Sequence, residues 1–213
     1  MYTGITRGVF PVVAVEVHEG HTRFTVQLNP ELTRDIQIGA SVAIDGVCCT
    51  VVTHHGVHLT FDAMRETLSL TTLSELCVGR GVSVERSCRV GDELGGHDVF
   101  GHVIGTGTIT RLHYVGEPLD LSITVPAAWM KFILHKGFVA VDGSSLTVGS
   151  VRPAGAGEAT GSFDLHLIPE TLRVTNFARR KLGDRVNIEL DPRTVAIVET
   201  VERVLRQREL DQV

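Results

Sequence analysis

Two nucleophilic side chains occupy equivalent positions in two copies of one motif. Cys48 lies in the segment VAIDGVCCTV, and Ser145 lies in VAVDGSSLTV, which has six of ten positions identical and follows 97 residues later. A thiol or a hydroxyl at such a position could act as a nucleophile or orient one. A buried small cysteine and a turn serine are the structural alternative, and the residue types by themselves favour it.

Two ionisable side chains distinguish the second copy from the first. His102 stands where the first copy has Ile5, and a histidine can move a proton at physiological pH. Lys136 stands where the first copy has Gly39, and a cation there could stabilise negative charge on a bound molecule. A solvated surface lysine is an equal alternative.

Further polar residues follow the motifs. Thr50 and Thr147 come two residues after the two candidate nucleophile positions, so in extended strands they share a face with them and could hydrogen-bond a ligand. As plain β-branched strand residues they would need no ligand. Asp191 is either a pocket carboxylate or the N-cap of a helix that opens at Pro192.

These residues belong to a duplication that covers nearly the whole chain. RETLSLTTL at 65–73 matches PETLRVTNF at 169–177, now 104 residues apart, and VGRGVSVERS at 78–87 keeps the same offset to LGDRVNIELD at 182–191. The seven extra residues fit in the Gly/Ala-rich segment 153–161, because surface loops tolerate insertion at small entropic cost.

Each copy reads as short β-branched runs of alternating polarity separated by Gly, Asp or Asn turns, which predicts a small closed β-barrel. A short helix is allowed in each ETL segment. The C-terminal segment instead has apolar residues at three-to-four spacing, which is typical of an amphipathic helix. Such a helix covers its own domain or joins helices of other chains. Its apolar positions are Val195, Val198, Val201, Val204 and Leu205.

Composition favours a globular protein with a sizeable core. Hydrophobic residues make up 43% of the 213 residues, and the net charge of −5 provides no basic field for a polyanion. The four cysteines have no CxxC spacing, which favours reduced thiols. The chain shows no signal peptide and no apolar stretch of about eighteen residues. We therefore expect a cytoplasmic protein with no nucleic-acid or membrane partner.

The motifs MYTGITRG, DGVCCTV, FDAMRETL, GDELGGH followed by GHV, HKGFVAVDGSSLTV, LIPETL and VNIELDP, in this order and spacing, closely resemble the bacterial riboflavin synthase family. The resemblance implies an all-β fold of two similar six-stranded, Greek-key-like barrels, at residues 1–97 and 98–191. It also implies a helix at 192–213 that holds a homotrimer together. The active site would lie between the N-terminal barrel of one chain and the C-terminal barrel of another.

The implied reaction converts two molecules of 6,7-dimethyl-8-ribityllumazine into riboflavin and 5-amino-6-ribitylaminouracil. It needs neither a metal nor a cofactor, and no metal or nucleotide motif is present in the sequence. A complex with lumazine synthase is a further partnership that the resemblance allows. The rival interpretation is a non-enzymatic lumazine- or flavin-binding antenna protein, which shares the duplicated fold.

The resemblance assigns roles to individual residues. The implied catalytic residues are Cys48, His102, Ser145, Ser41, Lys136, Thr147 and Asp191. The implied substrate-binding residues are Tyr2, Gly4, Ile5, Thr6, Cys48, Cys49, Thr50, Asp62, Ala63, Met64, Arg65, Glu66, Thr67, Gly101, His102, Val103, Lys136, Ser145, Leu146, Thr147, Ile168, Pro169, Glu170, Thr171, Leu172 and Arg173. Helix capping is the alternative for the polar residues of the ETL segments.

Three places depart from the family pattern. Tyr2 stands where phenylalanine is usual, which adds a phenol to a residue expected to pack beside a bound ring. Ser83 stands where asparagine is common, whereas the second copy has Asn187. Asp98 and Phe100 occupy a stretch that usually holds a small and an apolar residue. We expect activity to survive these changes.

Overall fold

The computed structural model describes residues 1–211. The last two positions of the helix expected at 192–213 therefore lie outside the described residues. Strands form where apolar and polar residues alternate, because alternate side chains then enter a core while the others face solvent. In the strand at Val47–His55, for example, Val47, Cys49 and Val51 are buried and Thr50 is exposed.

The first barrel is a closed antiparallel sheet of six strands. Its strands are β1 Val9–His18, β2 His21–Gln27, β3 Ser41–Ile44, β4 Val47–His55, β5 His58–Met64 and β6 Gly81–Arg86. Around the barrel they follow the order β1-β2-β5-β4-β3-β6, in which the hairpin pairs are β1 with β2, β3 with β4, and β4 with β5.

The second barrel repeats this arrangement. The order β10-β11-β8-β7-β12-β9 describes the same ring of neighbours when each strand is replaced by its counterpart. Its strands are β7 Gly105–Tyr114, β8 Leu119–Pro126, β9 Phe138–Val141, β10 Ser144–Arg152, β11 Thr160–Leu167 and β12 Arg185–Leu190. The expected fold of two six-stranded barrels with a C-terminal helix is therefore confirmed.

The helices are short except for the last one. Both ETL segments form a helical turn, α2 and α3, followed by a 3-10 turn. The α-helices are α1 Pro30–Thr33, α2 Arg65–Leu70, α3 Pro169–Val174 and α4 Pro192–Leu210, and the 3-10 turns span Thr72–Glu75, Ala127–Phe132 and Asn176–Arg179. The extra residues of the second copy lie between β10 and β11, where the expected insertion falls.

Each barrel has its own apolar core. Phe24 and Phe61 pack in the first, with ring centroids 5.4 Å apart, and Phe163 and Phe177 are fully buried in the second. At roughly 25 cal/mol per Å² of apolar surface removed from water, such clusters are the main stabilising contribution. The two cores hold the strands that carry the candidate site.

The barrels meet at their Asp-Gly turns. A Cβ on Gly46 would lie 2.4 Å from the Gly143 backbone nitrogen, and both glycines have positive φ, +81° and +79°. Only glycine permits this approach. This seam between the two Asp-Gly turns therefore explains why both copies keep a glycine two residues before the candidate nucleophile.

Candidate functional site

The segment that leads into each barrel lies against the Asp-Gly turn of the other barrel. Ser145 N–H donates to the Gly4 carbonyl at 2.8 Å, and Cys48 N–H donates to the Gly101 carbonyl at 3.1 Å. A Cβ on Gly4 would come within 2.5 Å of Ser145, and one on Gly101 within 2.6 Å of Cys48. Both nucleophile positions are thus built from both halves of the chain.

Two buried glutamates hold these leading segments. Glu85 accepts the N–H groups of residues 3–4 at 2.7 and 3.0 Å, and Glu189 accepts those of residues 100–101 at 2.7 and 2.9 Å. Burial raises the pKa of both carboxyls, although these hydrogen bonds oppose that shift. Our sequence reasoning missed both residues. Their equivalent places in the repeated strands β6 and β12 were the available signal.

In the first barrel Cys48 is half-buried and has a phenol beside it. The hydroxyl of Tyr2 donates to Cys48 Sγ at 3.1 Å. Burial is the main reason that the pKa of Tyr2 is raised, so the phenol remains a donor. Thr50 pairs in register with Ser41 next to this position and is exposed, on the outer face that Cys48 shares.

In the second barrel Ser145 has an imidazole beside it. Nδ1 of His97 lies 2.6 Å from Ser145 Oγ, and the His97 ring stacks on Phe138 with centroids 5.1 Å apart. Burial lowers the pKa of His97, which favours the neutral ring and lets Nδ1 accept the hydroxyl proton. Our site prediction did not include His97, whose place outside the repeat offered no paired signal.

A cleft of about 690 Å³ opens beside Ser145, within the range of small-molecule sites. It brings together residues from the leading segment, β10 and α3. The predicted substrate-binding residues in its wall are Gly4, Ile5, Thr6, Ser145, Leu146, Glu170, Thr171 and Arg173. Sequence reasoning missed Arg7, Arg86 and Arg89, which add positive charge to the same wall.

The remaining predicted residues of the second barrel are not among those that line this cleft. Lys136 is exposed and has a φ of +64°, and Thr147 is exposed beside Phe138 in the paired strand. Ile168 is the N-cap residue of α3, whose first turn contains Pro169. Leu172 in α3 is partly buried against the barrel core.

The predicted residues of the first barrel lie at the end of β5 and in α2. Asp62 forms a two-point ion pair with Arg23, both distances 2.8 Å, and this hydrogen bonding holds the pKa of the carboxyl below its ordinary value. Ala63 is buried in the core. Met64, Arg65 and Glu66 are exposed, while Thr67 is partly exposed.

Residues from the second leading segment complete the first-barrel site. His102 is exposed directly after Gly101, and Val103 packs against the core of the first barrel. Cys49 also points into that core, so only its main chain can reach a ligand. Burial raises the pKa of its thiol.

Asp191 has the contacts of a helix N-cap, the alternative left open by the sequence. Its carboxylate accepts the Thr194 N–H at 3.0 Å and the Thr194 hydroxyl at 2.6 Å. Burial opposes the shift, but these hydrogen bonds lower the pKa of Asp191 below its ordinary value. A catalytic role for this carboxyl remains a prediction.

The described residues 1–211 contain no helix that is long and apolar enough to cross a membrane.

Fold and site together define a duplicated β-barrel protein with two related but chemically different polar sites. The family model for the lumazine binding domain matches residues 3–87 and 100–191. The riboflavin synthase of Escherichia coli (strain K12) is 42% identical over 210 residues, covering 98% of this chain and 95% of that protein. The Chlamydia trachomatis riboflavin synthase is 36% identical over the full length of both. The chain belongs to the riboflavin synthase family of lumazine-binding proteins.

Solved structures show the same fold. LumP in complex with riboflavin superposes with a TM-score of 0.80 at 21% identity, covering 90% of this chain and all of the other. LumP in complex with 6,7-dimethyl-8-(1'-D-ribityl) lumazine gives a TM-score of 0.75 at 21% identity, covering 89% and 98%. At this identity the likeness is one of fold.

Proposed function

We propose that the protein is a riboflavin synthase, which moves a four-carbon unit between two molecules of 6,7-dimethyl-8-ribityllumazine. The products are riboflavin and 5-amino-6-ribitylaminouracil, and together they account for every atom of the two substrates. The observation that carries the proposal is the pair of equivalent sites with different chemistry, a thiol with a phenol at Cys48 and a hydroxyl with an imidazole at Ser145. A dismutation needs two such sites, because one molecule donates carbon and the other accepts it.

The polar groups match what the reaction requires. A carbon acid on the ring must lose a proton, and His102 and His97 are the nearby bases. The carbon that is attacked needs a nucleophile, which Cys48 and Ser145 can supply or orient. The ribityl chains would contact the polar residues at the starts of α2 and α3. Lys136 would face negative charge that develops on a ring.

We propose a homotrimer with its active sites between subunits, built from an N-terminal barrel (1–97) and a C-terminal barrel (98–191). The helix α4 supports this assembly. Val195 and Val198 pack against the second barrel, while a further apolar stripe faces outwards within the described chain. Its members are Ile197, Val201, Val204, Leu205 and Leu210, exposed by 65, 52, 44, 53 and 71%. Helices of neighbouring subunits would cover this stripe.

A cytoplasmic location and a complex with lumazine synthase are further parts of the proposal. All four cysteines are unpaired within the described residues, which favours a reducing compartment.

The test is to mix the purified protein with 6,7-dimethyl-8-ribityllumazine, without added metal or cofactor, and to quantify both products. We expect one riboflavin and one pyrimidine for every two lumazines consumed. Tight binding without turnover would replace this proposal with the antenna function. Sedimentation of the intact chain should show three subunits per particle, and a monomer would contradict the assembly.

A further inference from the structure

The Tyr2 phenol lies at the centre of the contacts between the two barrels. Its backbone N–H donates to the Val99 carbonyl at 2.6 Å, and the Val99 N–H donates back at 3.1 Å. The ring is 1% exposed and packs with Ala43, Val99 and Ala140. These contacts leave the side chain little freedom, and its hydroxyl donates to Cys48 Sγ at 3.1 Å.

The second copy has no side-chain hydrogen-bond donor at the corresponding position. The counterpart of Tyr2 is Val99, which carries no donor, and Ser145 takes its partner from His97 instead. Folding alone does not require the hydroxyl, because a phenylalanine would fill the same apolar cluster. The phenol oxygen therefore needs another explanation than packing.

We propose that Tyr2 is a positioning residue for Cys48, whose phenol holds the sulfur in one orientation and stabilises negative charge on it. This proposal deepens the proposed function, on which it rests for the role of Cys48 in turnover. The Cys48 backbone is already held by its hydrogen bond to Gly101. The phenol adds the missing constraint on the side chain, since one hydrogen bond to sulfur selects one rotamer.

A hydrogen bond donated to the sulfur assists nucleophilic attack, because it stabilises the thiolate. The thiolate is the reactive form of cysteine, and a hydrogen bond to a charged group is stronger than one between neutral groups. Burial keeps Tyr2 protonated, because it raises the pKa of the phenol. The hydroxyl therefore donates at every pH at which the protein works.

The test compares Tyr2→Phe with the original chain in site-resolved alkylation by iodoacetamide at pH 7, followed by mass spectrometry. We expect alkylation of Cys48 to slow by about three- to tenfold, since removal of one hydrogen bond of typical net strength has an effect of this order. Cys77, which is exposed, reports in the same sample and should react at an unchanged rate. An unchanged or faster rate at Cys48 would overturn the proposal.

A second arm measures turnover. Tyr2→Phe should lower kcat several-fold and leave KM within about twofold, because it removes the hydroxyl that contacts the nucleophile and keeps the buried ring. The same substitution in a Cys48→Ala background should have no further effect on kcat, whereas a packing role would lower it in both backgrounds. Tyr114→Phe, which changes an exposed tyrosine, is the matched control and should change neither readout.

The two proposals fail separately. If the original chain forms no riboflavin, the riboflavin synthase function is wrong, and the alkylation arm still decides whether Tyr2 acts on Cys48.

Discussion

Asn187 of the second barrel and Thr72 of the first are joined across the seam by two hydrogen bonds. The Thr72 N–H donates to Asn187 Oδ1 at 2.8 Å, and Asn187 Nδ2 donates to Thr72 Oγ1 at 3.0 Å. At the equivalent place in the other half, the Asn176 N–H donates to Ser83 Oγ at 3.1 Å. In this half the asparagine lies in the 3-10 turn, whereas in the other half it lies in the strand. Both side-chain amides, of Asn176 and Asn187, donate to Asp45. This exchange explains the serine at position 83.

Removal of the Asn187 side chain should destabilise the protein more than removal of the serine hydroxyl. Asn187→Ala leaves the buried Thr72 N–H and the Asp45 carbonyl without partners, and we expect a loss of about 2–4 kcal/mol in the free energy of unfolding. Ser83→Ala removes one bond and should cost about 1 kcal/mol. Urea unfolding measures both changes, and equal losses would contradict the argument.

Stability should fall as pH rises because of one buried carboxyl. Burial, and then the charge of Asp142, raise the pKa of Asp45 to about 7, although Arg180 and Arg80 oppose this shift. In the unfolded chain the carboxyl ionises near pH 4. The folded state therefore binds the extra proton between about pH 4 and 7, so this carboxyl lowers stability as pH rises through that window. Its effect is complete above pH 7.

Asp45→Asn removes this titration and keeps an oxygen that can accept the Ser83 N–H bond. We expect the variant to lose less stability than the original chain between pH 5 and pH 8, as measured by urea unfolding. Asp35→Asn, which changes an exposed residue with a similar φ of +55°, is the matched control. A parallel pH profile for Asp45→Asn and the original chain would contradict the prediction.

Gly101 should not tolerate a side chain. An alanine there would place Cβ 2.6 Å from Cys48 in a backbone conformation with a φ of +76°, and we expect a loss of about 2–4 kcal/mol from overlap and strain. Gly116 has a φ of +71°, but a Cβ added there would meet nothing within 4 Å, so Gly116→Ala should cost only about 1 kcal/mol. Thermal unfolding measures the loss of stability in both variants. Equal losses would show that the contact with Cys48 does not matter.

Lys136 is held in a strained conformation that its counterpart Gly39 adopts freely. Both have positive φ, +64° and +86°, and the left-handed region costs a side chain about 1–2 kcal/mol. Lys136→Gly should therefore raise stability by about 0.5–1 kcal/mol, after allowance for the more flexible unfolded chain. Lys136→Ala keeps the strain and should not. Both substitutions should weaken lumazine binding in a fluorescence titration. Unchanged binding would show that the Lys136 side chain takes no part in binding.

Alternation of residue types predicted the barrels well, because the period of two is imposed by each strand locally. The same reasoning placed Cys48 and Thr50 on one face of β4, and the burial pattern agrees, because the buried residues Val47, Cys49 and Val51 alternate with them. Prediction was weaker for the partners of these residues. Nothing near Ser145 in the chain indicates His97, and nothing near Cys48 indicates the phenol at position 2.

The sequence by itself determined the duplication, the strand pattern, the terminal helix and the pair of candidate nucleophile positions, since repeats and periodicity are local properties of the chain. Only the tertiary structure decided that each leading segment lies on the opposite barrel, with Gly4 on Ser145 and Gly101 on Cys48. Those contacts depend on how two closed barrels pack at their Asp-Gly turns. Close packing between surfaces distant in sequence leaves no periodic trace, and here it selects the partners on which the chemistry depends.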